Sequence, residues 1–136
     1  MSDTIKITRG VDIKLQGKAE QIYANAEWPE TFALKPTDFP GIRLKLAARE
    51  GDELKAGSPV LYNKDREDVK ITSPVSGEVV EIVRGAKRKL LEVRILADKE
   101  TKYKDFSQAD PQDLDADAVK EKLLKSGCWP LIKQRP

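Results

Sequence analysis

Five short apolar or alternating runs between residues 42 and 96 constrain the fold of this chain most strongly. The stretches between them are rich in glycine, proline and charged residues, which favour turns over regular structure. Short runs at this spacing are typical of the strands of a compact sandwich or barrel. The sequence therefore predicts a mainly β domain over residues 32–97, with runs that read IRLKLAA, SPVLYNK, DVKIT, GEVVEIV and KLLEVRIL.

The last of these runs has the clearest alternation of apolar and polar residues. Leu91, Val93 and Ile95 fall on one side of an extended segment, whereas Glu92 and Arg94 fall on the other. Successive side chains of a strand point to opposite faces of a sheet. The run therefore predicts a long strand with one face in the core and one face in water.

Residues 1–31 divide into an alternating segment and a loop. Apolar and polar positions alternate on either side of Gly10, which predicts an N-terminal β hairpin or bent strand. The apolar positions are Ile5, Ile7, Val11, Ile13 and Leu15. Residues 18–41 contain three prolines and no sustained period, so we expect ordered loop there, with a brief strand from Thr31 to Leu34.

Residues 98–136 are predicted to form a linker and a C-terminal helix. Asp115 precedes the segment ADAVKEKLLKS, and aspartate is a preferred residue at the start of a helix. Val119, Leu123 and Leu124 recur at helical spacing, and Gly127 is the expected stop. The sequence predicts one helix of about three turns after the β domain.

The last residues of the chain are unexpectedly apolar. Trp129, Leu131 and Ile132 lie close to the C-terminus, where no further predicted element would bury them. We therefore expect the chain to be part of a longer protein whose next domain follows Pro136. The two tryptophans, Trp28 and Trp129, are candidates for a contact with that domain or with a partner subunit, and packing within the chain is an equal alternative.

The composition excludes several classes of site. The chain has one cysteine, Cys128, and no histidine, so an internal disulfide and the usual general base are both missing. Cys128 is expected to pack as a small apolar residue. The carboxylates at 65–68 and 113–117 lack the glycine-bent backbone of hard-cation loops, and we expect a solvated turn and a helix start. The sequence indicates no catalytic, cofactor-binding or metal-binding residue.

A basic cluster lies in the segment RGAKRK. Arg84, Lys87, Arg88 and Lys89 surround Gly85, and such a turn can hold an anion, such as a phosphate or a lipid headgroup, or lie at an interface. A solvated hairpin tip that discourages edge pairing is the alternative. Nucleic acid is not an expected ligand, because the cluster has no interleaved aromatic residue and the net charge of the chain is only +2.

The stretches REGDELKAGSPVL and SPVSGEVVEI resemble the biotinyl and lipoyl carrier fold, a barrel-sandwich hybrid. In such carriers the modified lysine lies at a hairpin tip. The carrier spacing, eleven residues before Gly77, places Arg66 at that tip instead of a lysine. Arginine stays protonated and cannot be acylated by a ligase that needs a nucleophilic amine. A carrier domain modified on Lys64, which is not at the tip in this register, remains an alternative.

Four stretches taken together resemble a more specific family. They are IKITRGVDIKLQG, EGDELKAGSPVLYNKD, ITSPVSGEVVEIVRGAKRKL and SGCWPLIKQRP. Their order is similar to the N-terminal part of the A subunit of the sodium-translocating NADH:quinone oxidoreductase, a family related to the C subunit of the Rnf electron-transport complex. The resemblance covers nearly the whole chain.

The resemblance implies a peripheral subunit on the cytoplasmic side of the bacterial inner membrane. Its complex would oxidise NADH, reduce ubiquinone and export sodium, with FAD, FMN and iron-sulfur centres held by other subunits. The membrane-embedded B subunit is the implied neighbour, and this region would be a non-catalytic scaffold near the quinone-reducing side. The remaining alternatives are an Rnf-type subunit and an adaptor domain of a membrane transport complex. The apolar runs are far shorter than the roughly 20 residues of a membrane span, so we expect this segment itself to be soluble.

Overall fold

The computed structural model describes Gly10 and residues 16–132 of the chain. The hairpin predicted around Gly10 therefore falls mainly outside the described residues. The strands of the described part are β1 (Thr31–Leu34), β2 (Leu44–Leu46), β3 (Glu53–Leu54), β4 (Pro59–Asn63), β5 (Arg66–Thr72), β6 (Gly77–Arg84) and β7 (Leu90–Ala97). Its α-helix is α1 (Ala116–Ser126), and one-turn 3₁₀ segments lie at Pro36–Asp38, Ala86–Arg88, Pro111–Asp113 and Trp129–Leu131.

The strands form two antiparallel sheets that enclose one core. One sheet has the order β1-β7-β6-β3, and the other has the order β2-β4-β5. The core side chains come from both sheets, and burial of each large one contributes roughly 1.5–3 kcal/mol to stability. Its fully buried apolar members are Val60, Leu61, Val75, Val79, Val93 and Ile95. The predicted mainly β architecture is confirmed.

Strand β7 follows the predicted alternation except at its start. Val93 and Ile95 have no exposed surface, and the opposite face carries Glu92 and Arg94. Leu91, which the alternation places in the core, is 38% exposed, so that part of the prediction is wrong. The reason is a register shift of the β6–β7 ladder between Val83 and Arg84, which turns the end of the hairpin away from the core.

The two shortest strands of the four-stranded sheet test the limits of the sequence pattern. Strand β1 occupies the predicted residues and pairs with β7, Phe32 lying opposite Ile95. Strand β3 was not predicted, because two residues are too short to show a period. It pairs with the start of β6 and buries Leu54.

Gly77 begins β6 at a point where the chain has no room for a side chain. Its φ is +149°, and an added Cβ would overlap the carbonyl oxygen of Leu96 in β7. A backbone of this kind is accessible mainly to glycine. Crowding by the neighbouring strand adds to this requirement for glycine.

Helix α1 has the predicted ends. The Asp115 carboxylate accepts a hydrogen bond of 2.8 Å from the N–H of Ala118. Gly127 has φ +76° and donates its N–H to the carbonyl groups of Leu123 and Leu124. The helix packs against β5, the edge strand of the three-stranded sheet. No helix among the described residues is long and apolar enough to cross a membrane.

The segment between β7 and α1 is hydrogen-bonded to the barrel. The N–H of Ala56 donates to the carbonyl of Lys102 at 2.9 Å, and the N–H of Lys104 donates to the carbonyl of Ala56 at 2.9 Å. Phe106 then covers Gly57, where an added Cβ would lie 2.7 Å from its ring. Strand β7 ends at Ala97, and the predicted domain boundary after that residue stays a prediction.

Candidate functional site

The turn between β6 and β7 holds the predicted basic cluster. We call residues 84–89 the basic hairpin. Its backbone is closed by the N–H of Gly85, which donates to the carbonyl of Lys89 at 2.8 Å. Lys87 and Arg88 have φ values of 53° and 60°. Each left-handed non-glycine residue costs about 1–2 kcal/mol, so the rest of the hairpin must hold this turn in place.

The basic hairpin faces β2 across a shallow cleft. Arg84 and Arg88 line this cleft of about 320 Å³. The Nη1 of Arg84 donates to the carbonyl of Arg88 at 3.2 Å, which keeps the two residues together. The remaining lining is mostly apolar and comprises Leu44, Lys45, Leu46, Tyr62 and Leu90.

A second cleft of about 510 Å³ continues the first along the same seam between the two sheets. The clefts share Leu46 and Arg84, and together we call them the edge groove. At its far end the N–H of Ile82 donates to the Glu50 carboxylate at 2.7 Å. The second cleft is lined by Leu46, Ala47, Ala48, Arg49, Glu50, Ile82 and Arg84.

The cations around the edge groove form no ion pair with any residue from 16 to 132. They are Lys45, Arg49, Arg84, Lys87, Arg88 and Lys89, and all six are exposed. The outer face of the four-stranded sheet differs, because Arg94 there binds Glu92 at 3.0 Å and Glu81 at 2.5 Å. The hydrogen bond to Glu92 and the charge of Glu81 raise the pKa of Arg94. Six cations without an ion pair among the described residues therefore surround the groove.

Trp129 lies elsewhere on the molecule. It is half-buried, and Lys120 Nζ lies 5.9 Å from the centre of its ring. The 3₁₀ segment of Trp129 contacts β5, whereas the basic hairpin lies beside β2 at the opposite edge of the three-stranded sheet. The structure therefore brings Arg84 and Arg88 together in one groove, with Lys87 on the adjoining turn, and keeps Trp129 apart from them.

The family model described as the NqrA N-terminal barrel-sandwich hybrid domain matches residues 5–98. The chain belongs to this family. Both the predicted family and the predicted barrel-sandwich hybrid fold are thereby confirmed. The matched range contains the complete edge groove and basic hairpin, whereas α1 and Trp129 follow it.

Curated relatives match the chain almost from end to end. The A subunit of the Na(+)-translocating NADH-quinone reductase of Alcanivorax borkumensis is 36% identical over 97% of this chain and 30% of its own length. The corresponding A subunits of Vibrio vulnificus and of Marinomonas sp. are 33% and 32% identical over 97% and 96% of this chain. The chain spans 30% of the length of each of these relatives.

The β4–β5 hairpin of this NqrA-family domain differs from the expected carrier register. Lys64 and Asp65 form its turn, and Arg66 already belongs to β5, paired with Asn63. The prediction that Arg66 occupies the tip and that Lys64 does not is therefore wrong. The turn closes earlier because the N–H of Asp65 donates to Asn63 Oδ1 at 3.0 Å, a side-chain bond that favours a tight turn.

Arg43, which directly precedes β2, holds the same hairpin in place. Its Nε donates to Asp65 at 2.8 Å, and its carbonyl accepts the N–H of Lys64 at 2.8 Å. The hydrogen bond from Arg43 lowers the pKa of Asp65.

Among the described residues no group of three or more His, Cys, Asp or Glu is arranged to hold a metal ion. The predicted carboxylate segments instead form this turn and the start of α1.

Cys128 is exposed, so the prediction that it packs as an apolar residue is wrong. Its N–H bonds to the carbonyl of Leu123 and completes the end of α1. The next residue, Trp129, takes the half-buried position beside β5.

Sequence reasoning also missed an apolar cleft of about 330 Å³ beside α1. Phe106, Leu114, Val119 and Leu123 contribute to its lining. Lys122 crosses its rim and donates to the carbonyl of Ser107 at 2.8 Å. The helical spacing of Val119 and Leu123 indicates the apolar face, but the linker residues opposite it follow no period.

Proposed function

We propose that the chain is a region of the A subunit of a sodium-translocating NADH:quinone oxidoreductase, a complex that oxidises NADH, reduces ubiquinone and exports sodium. The observation that carries this proposal is the match of 96–97% of the chain to relatives that bear this name. Those names favour this complex over the related Rnf complex.

Within such a complex the region acts as a non-catalytic scaffold near the quinone-reducing side. The polar groups of the described residues support this role, because many of them serve the fold. Asp115 caps α1, Asp65 holds a hairpin through Arg43, and Ser76 Oγ donates to Asp98 at 2.8 Å. The exposed cations around the edge groove form no ion pair among the described residues, and this surface suits binding of another chain.

The cofactors and neighbours follow from the same assignment. FAD, FMN and iron-sulfur centres belong to other subunits, and ubiquinone is a substrate of the whole complex. The membrane-embedded B subunit is the proposed neighbour, and the region lies peripherally on the cytoplasmic side of the bacterial inner membrane. These assignments extend the names of the relatives to this chain.

Two surfaces are proposed as contacts in the assembly. Arg84, Lys87 and Arg88 form the first, where an anionic group of a partner would meet unpaired cations. Trp129 forms the second, at the other edge of the sheet, because a half-buried tryptophan supplies a large contact area.

Deletion and complementation in the organism that encodes the chain test this proposal. Membranes of the deletion strain are expected to lose sodium-stimulated NADH:quinone reductase activity, and the unaltered gene is expected to restore it. Unchanged sodium-stimulated activity in the deletion strain, with no second copy of the gene present, would overturn the assignment.

A further inference from the structure

One wall of the edge groove is the edge of β2, which pairs with no strand on this side among residues 16–132. This strand is at the end of its sheet, with β4 on its other side. The carbonyl of Arg43 accepts from Lys64, and the N–H of Ala47 donates to the carbonyl of Val60. Backbone groups of an antiparallel strand face alternate sides. The N–H and carbonyl groups of Leu44 and Leu46 therefore point away from β4 and into the groove.

The other wall is a second incomplete strand edge. Strand β3 pairs with Gly77 and Glu78 of β6, the backbone of Gly51 and Asp52 bonds Val79 on the same side, and β7 covers the opposite side of β6. Among the described residues the later part of β6 therefore has an open edge, where the N–H of Ile82 is satisfied by the side chain of Glu50. The groove thus runs between two strand edges, which is a geometry suited to an extended chain.

The side chains of the groove combine an apolar base with a cationic rim. Leu44, Leu46 and Leu90 supply apolar surface, and Lys45 and Arg84 lie among them. Among the described residues, Glu50 is the one carboxylate in the lining of the two clefts, and it already accepts the N–H of Ile82. Four lining residues carry positive charge, namely Lys45, Arg49, Arg84 and Arg88.

We propose that the edge groove binds an extended acidic segment of a partner protein, which adds as a strand to β2. Main-chain bonds to Leu44 and Leu46 would supply affinity, as in other cases of strand addition. Carboxylates of the segment would meet Arg84 and Arg88, and its alternate apolar side chains would contact Leu90. Charge complementarity selects an acidic chain, and the single aromatic residue of the lining, Tyr62, does not suit stacked bases.

This inference rests on the proposed role of the region in assembly, but its test is separate. A synthetic peptide that alternates valine and glutamate is titrated into the purified chain, and binding is followed by calorimetry and by amide NMR. We expect binding that weakens with salt and protects the amides of Leu44 and Leu46 from exchange. Reductase activity does not enter this experiment, so its failure and the failure of the proposed function are distinguishable.

Two peptide controls separate strand addition from simple charge attraction. In the first, alternate backbone nitrogens are methylated, which removes the main-chain donors but keeps the side chains. In the second, lysine replaces glutamate. We expect both to bind at least about tenfold more weakly. Equal binding of the methylated peptide would overturn strand addition.

Charge-reversal variants locate the site. Arg84→Glu and Arg88→Glu are each expected to weaken binding by about tenfold, because a repulsive charge replaces an attractive one. Lys99→Glu is the matched control, since Lys99 is exposed and lies just beyond the other end of β7. Thermal unfolding of each variant shows whether its fold is intact.

Three further outcomes would overturn the inference. Absence of peptide binding would mean that the cations only protect the strand edges from aggregation. Equal loss in the Lys99→Glu variant would indicate non-specific charge attraction. Binding of anionic phosphatidylserine vesicles that depends on Arg84 and Arg88, without peptide binding, would assign the surface to a membrane.

Discussion

Gly127 ends α1 directly against Thr72 of β5. A Cβ added at Gly127 would lie 2.5 Å from Cγ2 and 2.7 Å from Oγ1 of Thr72. The glycine therefore closes the helix and also allows its end to approach the barrel. This contact joins the segment after the matched family domain to the domain itself.

Gly127→Ala is expected to destabilise the packing of α1. The left-handed backbone alone costs alanine about 1–2 kcal/mol, and the overlap with Thr72 adds to this cost. Hydrogen exchange of the α1 amides should increase more than that of β6 and β7. Chemical denaturation gives the total loss.

Thr72→Ala supplies the control, because it removes both atoms nearest the new Cβ. The double variant is expected to recover the steric part of the loss and to retain the backbone part. Strict additivity of the two substitutions would contradict the proposed contact.

Gly77→Ala is expected to destabilise the fold more than Gly127→Ala does. The new Cβ would overlap the Leu96 carbonyl, and the strand pairing leaves little freedom to move. We expect a loss of at least about 3 kcal/mol in the free energy of unfolding, measured with urea.

Gly51→Ala is the matched control for backbone strain. Gly51 also has a positive φ of 86°, but an added Cβ would have open space around it. Its expected cost is the backbone term alone, about 1–2 kcal/mol. Equal losses for the two variants would show that crowding at Gly77 is not important.

The Arg43–Asp65 pair predicts a specific dependence on pH. Its hydrogen bond lowers the folded-state pKa of Asp65, so its stabilising effect is complete above the unfolded pKa of about 4. That effect is lost as the pH falls through the lower folded-state pKa. Arg43→Gln should raise the pKa of Asp65 in an NMR titration. Asp68, whose pKa is lowered by Arg66, is the internal control and should not change.

Lys64 is expected to carry neither biotin nor lipoate in native cells. Although it lies in a hairpin turn, Arg43 holds that turn through both Asp65 and the backbone of Lys64. Peptide mass mapping of the native protein should show an unmodified Lys64. A biotin or lipoate adduct on Lys64 would instead support the alternative that the chain is a carrier domain modified on this residue.

Features set by neighbouring residues were predictable from the sequence. The ends of α1 depend on Asp115 and Gly127, which act on backbone groups a few residues away. The burial of Val93 and Ile95 follows from the period of a strand. The family resemblance rested on the order of several such local patterns.

Features set by distant residues were not predictable. The register shift that exposes Leu91 depends on the pairing of β6 with β7. The edge groove exists because the fold places Leu46 beside Arg84, and no local pattern relates them. The exposure of Cys128 depends on Trp129 taking the place beside β5, a choice that the sequence CW leaves open.

Affinity purification of the full-length protein from detergent-solubilised membranes tests the central claim most directly. The preparation is expected to contain further subunits and to oxidise NADH with a quinone as acceptor, faster in the presence of sodium. A protein that purifies intact with its partners but shows no sodium-stimulated NADH:quinone reductase activity would contradict the assignment.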